Sequence, residues 1–211
     1  MTPTDKTKLK NERQIRALQP FTPAATKRID SNFYVEGYAA RYEPYILYET
    51  EDGPIYERFE RGCFDNCDMT DVIYQLNHQG TVMARNSNGS LIVEPDDTGL
   101  FTAVDLSRTE AARNHYEEIS TGMITKMSWG FILGDYYFDR ESRTIVHTRI
   151  KKIFDVSGVS IPANPNTEIN ARSWGDGVID LAARSEAELD ERRRKLRLKI
   201  QLNQEASINE N

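Results

Sequence analysis

The chain reads as an α+β protein built mainly on antiparallel strands, and three observations predict this. Short runs that alternate apolar and polar residues, rich in β-branched and aromatic side chains, recur between residues 33 and 156. Turn chemistry separates them, with Asp52-Gly53-Pro54, Pro95-Asp96-Asp97-Thr98-Gly99 and Asp139-Arg140-Glu141-Ser142 at the junctions. Helix signals are confined to one stretch after Leu106 and one near the C-terminus.

Taken in order, residues 1–30 are polar and lysine-rich, contain Pro20 and Pro23 and lack a sustained apolar period, which predicts a mobile arm. A single domain is expected over residues 31–172. Within it Phe33 to Tyr42 predicts a strand interrupted by Gly37, residues 44–54 a tyrosine-rich excursion, and Ile55 to Glu60 a second strand. Asp71 to His78 places Val72, Tyr74, Leu76 and His78 on one strand face, and Gly80 ends the run, so His78 stands at a strand end. Ser90 to Glu94 and Gly99 to Leu106 flank a strong turn and predict a hairpin. Ser107-Arg108-Thr109-Glu110 matches a capping box, Ala112, Tyr116 and Ile119 recur at helical spacing, and Gly122 closes the helix. The next strand starts at Lys126, is expected to continue through Tyr136 to Phe138, and returns along Thr144 to Val156. Residues 161–166 form a proline-punctuated loop. Gly175 and Gly177 predict a break, so residues 173–211 are expected to be a linker and a charged helix from Ser185 to about Gln204 with a narrow stripe of Leu189, Leu196 and Ile200.

Composition narrows the function. The 211 residues are 38% hydrophobic, enough for a real core. A net charge of −6 and a pI near 5.2 argue against a protein whose business is neutralising phosphates. No run of about 18 apolar residues and no signal-peptide core is present, so a cytoplasmic protein with no membrane partner is expected. Cys63 and Cys67 form a C-x3-C pair without a second pair at zinc spacing, which predicts free thiols and no metal. Nothing in the chain calls for a cofactor.

The segment most suggestive of chemistry is Lys126-Met127-Ser128-Trp129-Gly130-Phe131. Alternation puts Met127, Trp129 and Phe131 on one face and Ser128 with Gly130 on the other, where the glycine is expected to leave space for an extended peptide beside the hydroxyl. A serine nucleophile needs a base, and the chain has three histidines. His78 precedes Ser128, while Asp155, between Phe154 and Val156, is a carboxylate in apolar surroundings that needs a partner. A neutral imidazole can take the serine proton and a carboxylate can fix its tautomer, whatever their order in the chain. His115 on the central helix is expected to be a surface or packing residue.

These residues carry a resemblance. Glu57-Arg58-Phe59-Glu60-Arg61-Gly62-Cys63-Phe64, Leu76-Asn77-His78 through Ala84-Arg85, Lys126 through Phe131, and Asp155-Val156-Ser157-Gly158-Val159-Ser160-Ile161-Pro162-Ala163-Asn164-Pro165 resemble, in order, four blocks of the prohead serine proteases of tailed bacteriophages. The resemblance spans about residues 33–170. Trp129 replaces a small apolar residue, Ala84 a glycine, and Asp155 the family's more frequent glutamate. The resemblance implies an endopeptidase that acts inside an assembling capsid in the host cytoplasm. Its implied substrates are a scaffold protein or the scaffolding segment of the major capsid protein, and usually the protease itself. It also implies the herpesvirus assembly-protease fold, a closed antiparallel β-barrel flanked by helices. Under it Ser128 is the nucleophile, His78 the base and Asp155 the orienting carboxylate. His147 is the alternative third member, because the herpesvirus enzymes use a histidine there; its Thr- and Arg-rich strand predicts that it is exposed. Oxyanion donors are expected from backbone N–H groups around Ala163 and Asn164, with Gly130 lining the cleft. A homodimer or higher oligomer is compatible with this reading. The rival function is a non-catalytic assembly factor on the same fold, which predicts a damaged Ser or His; neither is damaged. A small-molecule esterase predicts a Gly-x-Ser-x-Gly elbow that is absent around Ser128.

Overall fold

The computed structural model describes residues 13–22, 27–160 and 165–209. In chain order the elements are β1 (Arg13–Thr22), β2 (Tyr34–Arg41), β3 (Tyr45–Thr50), β4 (Gly53–Phe59), β5 (Ile73–Leu76), β6 (Gln79–Arg85), β7 (Leu91–Pro95), β8 (Gly99–Asp105), α1 (Glu110–Ser120), β9 (Lys126–Leu133), β10 (Tyr136–Asp139), β11 (Thr144–His147), β12 (Ile150–Val159) and α2 (Pro165–Asn209). The α+β reading holds. Eight strands form one sheet in the order β6-β5-β12-β9-β1-β2-β8-β7, and four form a second in the order β10-β11-β4-β3. All ladders are antiparallel except β12 on β5 and β11 on β4.

Chain length decides the shape of the large sheet. Laid flat, eight strands at ~4.8 Å spacing put β6 and β7 roughly 34 Å apart. These two edge strands are nevertheless consecutive in the chain, and the six Cα steps from Arg85 to Leu91 reach at most roughly 20 Å. The sheet must therefore curl strongly. Among the described residues no ladder joins β6 to β7, so the expected closed barrel is not found as a closed hydrogen-bonded ring.

One face of the large sheet packs into the core. Met127, Trp129 and Phe131 of β9 lie in it, as their alternation predicts. Trp129 stacks on Phe131 at 3.9 Å, and Phe59 of β4 meets the indole edge-on at 5.2 Å, which joins the small sheet to the large one. The Pro95–Gly99 turn is closed by Asp96, whose carboxylate accepts from the Thr98 and Gly99 N–H groups at 2.7 and 3.1 Å, and it forms the expected β7–β8 hairpin.

Several expectations need correction. Residues 13–22, read as part of a mobile arm, form a strand of the large sheet, because β9 offers a ladder to which a polar segment can pair without apolar periodicity of its own. The tyrosine-rich excursion contains β3, and the chain after His78 continues as β6. Two long strands are each broken, one at Gly134 and one at Thr148-Arg149, where Gly134 packs so tightly on the Arg149 backbone that a Cβ would lie 2.4 Å from its carbonyl oxygen. The helix cap is Thr109 rather than Ser107: its Oγ1 accepts from the Ala112 N–H at 3.1 Å, while Asp105 takes the Ser107 N–H. Gly122, at φ +78°, ends α1 in a Schellman arrangement, with its N–H on Ile119 O and that of Met123 on Glu118 O. Finally, Gly175 and Gly177 do not interrupt the C-terminal helix. Gly175 is buried where α2 crosses Tyr48 of β3, and a Cβ there would lie 2.5 Å from the phenol oxygen. The Tyr48 hydroxyl donates to Asp176 at 2.9 Å and Arg140 pairs with Glu186, so the helix is docked between Gly175 and Glu186 and no linker opens there. Beyond it Leu189, Leu196 and Ile200 are exposed. Among the described residues no helix is long and apolar enough to cross a membrane.

Candidate active site

The site is assembled from β9, β12 and the turn after β5. Leu76 pairs with Gln79 across a two-residue loop, Asn77-His78, whose φ values of 50° and 60° are those a type I′ turn requires. Asparagine and histidine tolerate this left-handed region better than most residues. The loop is fastened to β12 and the residue after it by four bonds: Asn77 N–H to Gly158 O at 2.9 Å, His78 N–H to Ser157 Oγ at 3.2 Å, and Ser160 N–H and Oγ–H to Asn77 Oδ1 at 3.1 and 3.2 Å. The imidazole is thereby aimed across β12 toward β9.

The ladders align the rest. Antiparallel pairing of β12 with β9 sets Ser157 opposite Ser128 and Asp155 opposite Gly130, so these side chains share the face away from Trp129. His78 Nε2 lies 2.6 Å from Ser128 Oγ, and His78 Nδ1 lies 2.5 Å from Asp155 Oδ2. Ser157 Oγ donates to Asp155 Oδ2 at 2.9 Å, and Gln75 Nε2 approaches the same oxygen at 3.4 Å. Arg13 of β1 bonds the other carboxylate oxygen, Oδ1. Burial alone would raise the Asp155 carboxyl. The hydrogen bond and charge of His78, with the Arg13 guanidinium, outweigh it and hold the group ionised below its ordinary value. An ionised Asp155 accepts from Nδ1–H, which leaves Nε2 with a lone pair facing the serine. Hydroxyl, imidazole and carboxylate then form a chain able to move the serine proton onto Nε2.

Four expected site residues fare differently. Gly130 is buried, and the space over its Cα is not open to a substrate: a Cβ would lie 2.4 Å from Asp155 Oδ1 and 2.6 Å from Arg13 Nε. It is a glycine because the carboxylate and the guanidinium fill that volume. Ala163 and Asn164 lie outside the described residues. The alternative third residue, His147, is fully buried rather than exposed and does not meet His78. Its Nε2 donates to Glu57 at 2.8 Å and its ring stacks on Phe59 at 4.8 Å. Glu57 also receives both guanidinium arms of Arg16, at 2.6 and 2.9 Å, and the Tyr45 hydroxyl. Burial would raise the Glu57 carboxyl, but Arg16 and His147 hold it well below the usual range. His115 packs, with Nε2 3.2 Å from the Tyr74 hydroxyl, and Gly158 has no Cβ because His115 Nε2 would lie 2.7 Å from it.

Arg13, Arg16, Glu57, Gln75 and Ser157 escaped the sequence reading. A signal existed for Ser157, which alternation places on the Asp155 face, and for Glu57, which heads the first of the four blocks. None existed for the arginines. Among the described residues no cluster of His, Cys, Asp or Glu suits a metal ion. Both cysteines are free, and burial pushes the Cys63 and Cys67 thiols up to about 12, which keeps them protonated and inert.

Searches of curated proteins and of solved structures found no match. A family model described as caudovirus prohead serine protease matches residues 22–176, which includes β2 through β12 and so the serine, the histidine and the aspartate just described. On that match, over well more than half of its length, the chain belongs to the caudovirus prohead serine protease family.

Proposed function

We propose that the chain is a serine endopeptidase of procapsid maturation in which Ser128 is the nucleophile, His78 the general base and Asp155 the orienting carboxylate. The observation that carries this reading is the unbroken hydrogen-bonded series from Ser128 Oγ through both nitrogens of His78 to Asp155. Ser128 attacks the scissile carbonyl carbon and its proton passes to Nε2. The tetrahedral intermediate expels the amine, which takes that proton, and water then releases the acyl group by the same relay. Asp155 stabilises the imidazolium formed on the way. Backbone N–H groups of Ala163 and Asn164 are the proposed oxyanion donors.

The substrates we assign are the scaffold protein, the scaffolding segment of the major capsid protein, and the protease itself, within the procapsid in the host cytoplasm. The curled eight-stranded sheet supports kinship with the barrel of the herpesvirus assembly proteases. For the tail, the exposed stripe of Leu189, Leu196 and Ile200 among charged residues supports pairing with a helical scaffold segment.

Co-expression with the cognate major capsid protein, followed by mass mapping of the fragments, tests the reading. Ser128→Ala and His78→Ala are each expected to abolish the fragments while leaving circular dichroism and the unfolding transition intact. Cleavage by a folded Ser128→Ala protein would refute the nucleophile, and the absence of any cleavage by wild type would favour a non-catalytic assembly factor.

A further inference from the structure

Strand β1 touches both Ser128 and Asp155, yet all but its last residue lies outside the region that matches the family. From Arg13 to Pro20 it is laddered to β9 alone, and its ladder with β2 is confined to Phe21 and Thr22. The pairing is antiparallel, with Ala17 opposite Ser128. The Arg16 carbonyl oxygen lies 2.8 Å from Ser128 Oγ, close enough to take the hydroxyl proton in competition with His78. Arg13 bonds the Asp155 carboxylate, and Ser128 is left with no exposed surface. Arg16 points to the other side, where Glu57 grips it with two hydrogen bonds beside Tyr45 and His147, and its guanidinium lies 5.7 Å from the Phe131 ring.

A strand laid antiparallel on the nucleophile strand, with one peptide bond at the serine and the side chain before that bond in a fitted acidic pocket, is how a protease holds a substrate. We propose that residues 13–20 occupy the enzyme's own substrate groove, that the Arg16–Ala17 bond is a self-processing site, and that the Glu57 pocket selects arginine before the scissile bond in other substrates. This rests on the proteolytic reading above and adds to it a cleavage site, a specificity and a latent state. In that state the carbonyl presents its oxygen, not its carbon, to Oγ. Arg13 meanwhile shares the Asp155 carboxylate with His78.

Processing requires the Arg16 carbonyl to turn. Ser128 Oγ then bonds to its carbon while the hydroxyl proton moves to His78 Nε2. The Arg16–Ala17 bond breaks, the Ala17 nitrogen takes that proton and becomes the new N-terminus, and water converts the Arg16 ester to a carboxylate. Residues 13–16 are then held only by non-covalent contacts, the β9 ladder and the Arg13 and Arg16 ion pairs, and can leave. The vacated ladder of β9 and the Glu57 carboxylate are open to another strand carrying a cation.

The test uses full-length wild type and Ser128→Ala, incubated and followed by intact mass, with a fluorophosphonate probe reporting the reactivity of Ser128. Separately, synthetic peptides of residues 10–22, with Arg16 or with glutamate in its place, are supplied to the processed enzyme. The expected results are a new N-terminus at Ala17 in wild type only, faster probe labelling after processing, and cleavage of the arginine peptide at least about 100-fold faster than of the glutamate peptide. Wild type that labels with the probe and cuts its capsid protein, yet keeps the Arg16–Ala17 bond and treats both peptides alike, overturns this proposal and leaves the proteolytic reading standing. Failure of the probe to label Ser128 and of all cleavage overturns both.

Discussion

His78 Nδ1 lies 2.5 Å from Asp155 Oδ2, and the two residues meet because β12 runs parallel beside β5 and holds the turn that ends that strand at Ser157 and Gly158, from which the imidazole reaches the carboxylate. The contact separates orientation of the ring from its support by packing. Asp155→Asn keeps the shape but offers an amide that favours the wrong imidazole tautomer. The expected result is a folded protein whose kcat falls about three to four orders of magnitude. An Asn variant within tenfold of wild type would remove Asp155 from the proposed mechanism.

His147 supplies the contrast. It stacks on Phe59 and bonds Glu57 without touching His78. His147→Ala is expected to lower stability by about 2–3 kcal/mol, from lost packing and a carboxylate oxygen deprived of its donor, while leaving kcat within a few-fold. Urea unfolding combined with capsid-protein cleavage measures both quantities. Abolished chemistry in a stably folded variant would restore His147 as the third member.

Gly130 tests the geometry without removing any functional group. A Cβ there meets Asp155 Oδ1 at 2.4 Å, and moving that carboxylate drags His78 with it. Gly130→Ala is expected to cost about 10–100-fold in kcat, since a displacement near 1 Å in a reacting geometry has effects of that size. Steady-state kinetics on a peptide substrate reads it, and an unchanged kcat would show that the carboxylate can move freely.

Asp105, at the end of β8, gives a pH signature. Burial raises its carboxyl, but bonds from Ser31, from Ser107 and from Arg108 outweigh burial and bring it down to about 2. An unfolded aspartate titrates near ~3.9, so the unfolded chain binds a proton that the folded one refuses. The stabilisation is therefore fully present above about pH 4 and is lost as pH falls toward 2. Asp105→Asn is expected to be less stable at pH 7 and to lose less further stability between about pH 4 and 2, as read from urea midpoints.

The exposed end of α2 predicts a division of labour. A chain ending after Glu186 retains the contacts of Tyr48 with Asp176 and of Arg140 with Glu186. It is expected to cleave peptides at the wild-type rate and to be depleted from procapsids. Quantifying it in purified shells decides the point, and normal incorporation would remove the tail from targeting.

The sequence by itself determined what acts over a few residues. Alternation placed Met127, Trp129 and Phe131 in the core and Ser128 on the opposite face, Pro95 to Gly99 specified a hairpin, and Gly122 ended a helix, because side-chain direction and backbone dihedrals are local properties. The chemistry of hydroxyl, imidazole and carboxylate raised Ser128, His78 and Asp155 as candidates, and the resemblance of the four blocks supplied their expected roles. Only the tertiary structure decided that Asp155 and not His147 meets His78, since that depends on the register of β12 against β5 and β9, set by pairings far apart in the chain. It alone brought β1 onto β9, because a ladder of backbone groups recruits a strand whatever its composition. It also carried the last helix through Gly175, where the crossing with Tyr48 favours the absence of a Cβ over the helix-breaking tendency that local propensity assigns to glycine.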